Sequence, residues 1–173
     1  MSEYLRQPEN KNFLSPLGFK FQINKLPDTN FFVQSVVLPG IDVGFIDRAS
    51  PFAKIPTVGD HLTFGDIQIT FRVNETMSNY IEIFNWMIGI GFPSDFEQRA
   101  TIQRQPRGSG LGLYSDAVLT ILSSAMNPII EIKVIDAFPI SLSSLTMDST
   151  LEDVQYIEAT ATFKFLEYTI NPL

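Results

Sequence analysis

His61 is the chain's single histidine, and there is no cysteine. Hydrolysis of the Ser-His-Asp kind would have to run through His61, with Asp60 or Asp66 as the orienting acid. No G-x-S-x-G elbow presents a serine to it. Gly59-Asp60-His61-Leu62 reads as a turn, where a solvated histidine is the ordinary outcome. The counts alone remove disulfides, thiolate zinc sites and multi-histidine metal sites. Asp148, Glu152 and Asp153 form an acidic cluster that lacks the spacing of an EF-hand loop, so a solvated turn and no metal are expected. Gly108-Ser109-Gly110-Leu111-Gly112 resembles a phosphate loop only superficially, because no Lys-Ser/Thr follows. The expectation is a non-enzyme without cofactors.

What remains is contact chemistry. Arg99, Arg104 and Arg107 make Arg99–Gly112 the one basic stretch, read as an exposed loop that touches a partner or stands in solvent. Trp86 has two open readings: an outer-face anchor for a partner, or a cover over a sheet edge. These four residues are the candidate partner contacts.

The elements that must carry them follow from composition and period. The chain has 173 residues, enough for one domain with a real core. Charged residues are 18% and hydrophobic residues 45%, with 15 Phe and 11 Pro. That balance suits a sheet protein rich in turns. The net charge of −7 argues against clamping nucleic acid, which needs Lys and Arg at phosphates. No apolar run approaches the ~20 residues of a membrane helix, and the polar MSEYLRQPEN start does not read as a secretory leader. Residues 1–17 are expected to be an arm and 18–173 a single β domain.

Along the chain, Phe19, Phe21 and Ile23 alternate with polar residues in a strand over Gly18–Lys25. A turn at Leu26–Asn30 and a strand over Phe31–Leu38 would complete a hairpin. Ile41–Asp47 and Phe52–Thr57 read as the arms of a protruding hairpin or an extended loop, closed by Gly59-Asp60. Ile67, Ile69, Phe71 and Val73 give the cleanest alternation. A helix is predicted from Ser78 to Met87 or Ile88, with Tyr80, Phe84, Met87 and Ile88 on its core face and Gly89 and Gly91 stopping it. Ser94–Glu97 carries a second, short helix-start pattern. Ser115–Leu122 and Ile129–Asp136 form another hairpin, Phe138–Met147 a connector, and Gln155–Tyr168 one long closing strand. Nothing alternates as β-α-β, so an antiparallel sandwich or open barrel with one flanking helix is expected.

Several of these segments resemble phage tail-tube proteins. Phe32-Val33-Gln34-Ser35-Val36-Val37-Leu38-Pro39-Gly40-Ile41 is similar to a strand exit of that fold. VGDHLTFGDIQITFRVNE followed by NYIEIFNWMIGI resembles its strand, acidic turn and helix. DAFPISLSSLTMDSTLEDVQYIEATATFKFLEYTI resembles its C-terminal block. Within that superfamily the likeness is to the tail completion proteins, or tube terminators, of T-even-type contractile phages, over roughly Gly18 to Ile170. It is weakest in Arg99–Gly112 and the arm.

The resemblance implies a hexameric ring that caps the head-proximal end of the tail tube and stops its growth. It implies copies of itself, the tube protein, the sheath terminator and neck or connector proteins as partners. Genomic DNA would transit the lumen without specific binding, no membrane would be involved, and the chain would reside in the virion after assembly in the host cytoplasm. An acidic wall suits such a channel, and ring closure would remove exposed sheet edges. A tube subunit, a baseplate tube initiator or a secretion-system tube protein shares the implied fold. A small hydrolase using His61 and a monomeric β-sandwich binding module are the readings from other classes.

Overall fold

The computed structural model describes residues 12–91, 97, 100, 112–150 and 155–173. Within them the chain forms β1 (Phe19–Ile23), α1 (Pro27–Phe32), β2 (Val33–Val37), β3 (Ile41–Ala49), β4 (Lys54–Phe64), β5 (Ile67–Arg72), α2 (Ser78–Gly91), β6 (Ser115–Leu122), β7 (Pro128–Leu142), β8 (Glu158–Lys164) and β9 (Glu167–Pro172). Every strand pair is antiparallel.

The main sheet runs β1-β6-β7-β8-β5-β2, with β9 also on β7. Its hinge is β7. Residues 128–137 of β7 pair β6 and residues 130–135 pair β9, whereas Phe138–Leu142 pair β8. The change falls at Asp136, whose φ is 55°, and sheets turn such corners through bulged strands. The expected connector from Phe138 is therefore the second half of a strand. The expected closing strand follows β7 along both halves and breaks opposite this corner, where Leu166 N–H donates to the Ile135 carbonyl at 3.0 Å. It is two strands, β8 and β9.

The two halves share one core. Phe21 and Ile23 of β1, Leu119 of β6 and Ile132 and Val134 of β7 belong to the same buried cluster as Ile69 and Phe71 of β5 and Ala161 and Phe163 of β8. Each large side chain buried there contributes about 1.5–3 kcal/mol. The alternation read in β5 and β8 points these residues inward and leaves Gln68, Arg72, Glu158 and Lys164 outside.

Three expectations change around the first strand. β1 pairs β6 and β2 pairs β5, so the two do not form a hairpin. Leu26–Asn30 is not a simple turn, and Phe31 and Phe32 are helical. Pro27 suits the first turn of α1, where its missing N–H costs nothing. The free N–H groups of Asp28 and Thr29 donate to the Glu82 carboxylate of α2 at 3.4 and 3.3 Å. That acceptor lies more than fifty residues away, beyond the reach of any local pattern.

α2 continues through Gly89 to Gly91. Its inward residues are Asn79, Ile83, Trp86 and Gly89, and Phe84, expected inside, is 49% exposed. Asn79 is fully buried and hydrogen-bonded through both its amide nitrogen and its amide oxygen. Its Nδ2 donates to the Arg72 carbonyl at 2.7 Å, and its Oδ1 accepts from Asn74 N–H and Tyr80 N–H. A buried amide satisfied in this way locks the helix to the end of β5.

Candidate functional site

Among the described residues the geometry gives the hydrolase reading no support. His61 lies in β4, a strand and not the expected turn. Its Nδ1 faces Asp60 Oδ1 at 3.4 Å, both side chains being almost entirely in solvent. Asp66 is paired elsewhere, with Lys164. An exposed His-Asp pair lacks the enclosed, donor-lined site that acyl transfer requires. No cluster of three or more His, Asp or Glu able to hold a metal occurs among the described residues. Asp148 accepts from Thr150 N–H at 2.8 Å and Thr150 Oγ1 at 2.6 Å, a local turn that holds its carboxyl below the usual range. Glu152 and Asp153 lie outside the described residues.

Arg99, Arg104 and Arg107 also lie outside the described residues, as does most of the Ser94–Glu97 pattern. Trp86 does not stand on an outer face. It is 2% exposed, its ring meets Phe163 at 6.1 Å, and its Nε1–H donates to the Leu113 carbonyl at 3.0 Å. Its indole packs in the core because the helix phase carries it inward with Ile83. Beside it, Lys25 holds its ammonium 5.0 Å from the ring centre and donates to the Gly112 carbonyl. Half-burial pushes that amine down to about 8.

The feature that stands out is the β3–β4 hairpin. The exit from β2 through Pro39-Gly40 and the entry to β5 through Gly65 are joined by Gly65 N–H to the Gly40 carbonyl at 3.1 Å. Phe64 packs against Phe165 and Tyr168, and the Tyr168 hydroxyl donates to the Pro39 carbonyl at 3.3 Å. The root is thus anchored to the β8–β9 junction. From there, among the described residues, the two strands pair only with each other. At ~3.3 Å per residue, the nine residues of β3 carry the tip about 30 Å from the root.

The hairpin is apolar where a free ribbon should be polar. Ile41, Val43 and Phe45 share a face with their cross-strand partners Val58 and Leu62, and all five are exposed, Phe45 by 70%. Phe52 at the tip is 98% exposed. The alternation was readable in the sequence, but period alone does not tell which face meets protein. A second apolar surface was missed. Phe32, Val73, Met77, Leu145, Met147 and Ile157 line an open groove of ≈ 750 Å³ beyond the Arg72 end of β5. These residues come from four separate stretches, so no sequence signal marks them as neighbours.

Such an architecture defines a class: the mainly β, antiparallel fold of tail-tube type. The chain matches no protein-family model and no curated protein sequence. Among solved structures it is similar to the tube terminating cap of the anti-feeding prophage, at a TM-score of 0.67 and 16% identity over 100% of both chains. It is also similar to the PVC sheath/tube terminator of an extracellular contractile injection system, at a TM-score of 0.59 and 16% identity over 94% of this chain and 99% of that one. A chain of the PVC sheath-tube complex follows at 0.55 and 17%, covering 94% of both. At these identities the likeness establishes the fold.

Proposed function

We propose that this chain is a structural tube terminator of a contractile tail, with a domain at 18–173 preceded by an arm at 1–17. Six copies form a ring on the head-proximal end of the tube, halt its growth and present a new face to the sheath terminator and neck. In a T-even-type virion, DNA would pass through the lumen without being bound. The function is geometric and needs no catalytic group, cofactor or metal.

The observation that carries this reading is the hairpin. A soluble monomer seldom leaves a long apolar ribbon in water, and large exposed apolar patches mark interaction sites. The short edge strands β1 and β2 add unpaired backbone that ring closure would satisfy. The end-to-end likeness to a tube terminating cap favours terminator over tube subunit or baseplate initiator. Arg99, Arg104 and Arg107 remain proposed docking contacts; Trp86, being in the core, does not.

Locating the chain in intact particles tests the proposal. One ring beneath the neck is the expected result. Many stacked rings would make it the tube subunit, and a lone copy with unpartnered strands would overturn both. Purified chain added to baseplates with tube subunits should block elongation.

A further inference from the structure

The exposed hairpin tip and the groove at the far end of β5 are complementary. The tip, Arg48-Ala49-Ser50-Pro51-Phe52-Ala53-Lys54, holds two cations and no acid in a chain of net charge −7. A closed turn shapes it: Ser50 N–H donates to the Ala53 carbonyl at 3.1 Å, and Ala53 N–H to Ser50 Oγ at 3.2 Å. Phe52 is thus carried on a turn whose backbone is already closed before contact, which lowers the entropic cost of docking.

The groove is lined mostly by apolar side chains, with Glu75 as its acid and Arg72 as its cation. Arg72 is paired with Glu158 at 3.9 Å and lies over the Tyr156 ring at 5.0 Å. That pairing leaves Glu75 of the lining, and Asp148 next to the lining residue Met147, as nearby carboxylates for a cation. Met77 and Met147 give the lining the adaptability typical of surfaces that receive a side chain.

The chain's own hairpin tip points away from this groove. The hairpin leaves the sheet at the Ile67 end of β5, while the groove opens beyond Arg72 at the other end. The tip reaches some ~30 Å away from its root. We infer that the groove receives Phe52 from the hairpin tip of a second copy, with Arg48 and Lys54 meeting Glu75 and Asp148. The contact is head-to-tail: each copy gives one tip and accepts one, and such heterologous contacts close into rings when the rotation per copy closes. This deepens the ring reading above and rests on it.

The absence of native cysteine makes the test direct. Phe52→Cys chains are mixed with Met147→Cys chains and oxidised mildly. Both positions are largely exposed, so folding is undisturbed. The expected product is a disulfide-linked pair of twice the chain mass, absent from either variant alone in the presence of the wild type. Phe13→Cys mixed with Met147→Cys is the control, and preferential cross-linking there would overturn the inference. So would rings seen by electron microscopy without the Phe52–Met147 link, an outcome that leaves the ring reading standing. A chain that stays at 19.5 kDa at every concentration would sink both. Phe52→Asp should weaken self-association at least tenfold while leaving the circular dichroism spectrum unchanged.

Discussion

Gly59 faces Gly44 across the β3–β4 ribbon so closely that a Cβ on Gly59 would stand 2.3 Å from the Gly44 carbonyl oxygen. At this point the register shifts, from Val43 opposite Leu62 to Phe45 opposite Val58, so that residues 59–61 of β4 oppose Gly44 alone. A bulge of this kind bends and twists a ribbon. Its position sets where Phe45 and the tip beyond it point.

Gly59→Ala should therefore deform the hairpin without touching the core. Unfolding free energy should fall by about 1–3 kcal/mol, the cost of forcing a Cβ against backbone, while the packed cluster stays intact. Amide exchange in β3 and β4 should quicken, and the proposed self-association should fall sharply. Hydrogen exchange and light scattering read the two effects separately.

Asn79→Ala should act instead where α2 meets the end of β5. It strips the Arg72 carbonyl of its Asn79 donor and two N–H groups of their acceptor. Each buried polar group left unpaired costs about 1–3 kcal/mol. A loss of about 2 kcal/mol or more is expected in urea denaturation, with the m-value unchanged.

Lys25 predicts an unusual alkaline trend. Burial lowers its amine to about 8 from an ordinary 10.5, despite the favourable ring face of Trp86. Between these values the unfolded chain binds the proton and the folded chain does not. Stability gains a rising contribution from about pH 8 to 10.5. Lys25→Met should flatten that rise relative to wild type. Parallel urea titrations from pH 7 to 10.5 provide the comparison, and an unchanged slope would refute the assignment.

Glu82 gives an acid-side test. Desolvation raises its carboxyl above the usual 4.5, outweighing the opposing hydrogen bonds from Thr29 and Asp28. The folded chain thus holds this proton to a higher pH than the unfolded chain. The associated stability is complete below about 4.5 and is lost as pH rises through the elevated value. Glu82→Gln should abolish that dependence. Glu82→Ala should also uncap α1, at a cost of about 1 kcal/mol, seen as faster exchange of the Asp28 and Thr29 amides.

Much of the fold was legible because burial imposes a period. Ile67, Ile69 and Phe71, and Ala159, Ala161 and Phe163, alternate into one core; β6 matches its sequence-based bounds. The errors cluster where a distant group decided. Glu82 made α1 from what read as a turn and a strand. The corner at Asp136 carried β7 onward and split the closing strand. Helix phase put Trp86 inside and Phe84 outside, although both are large and apolar.

The amino-acid sequence by itself excluded disulfides, thiolate sites and multi-histidine metal sites, having no cysteine and one histidine, and two-residue alternation made this acidic, Phe-rich chain a sheet. Only the tertiary structure decided which apolar residues remain in water. Strand period assigns a side chain to one of two faces, but what covers a face depends on partners far away in the chain. Among the described residues, β5 found β8 and β2, while β3 and β4 found only each other. That difference leaves Phe45 and Phe52 exposed and places the open groove at the opposite end of the sheet.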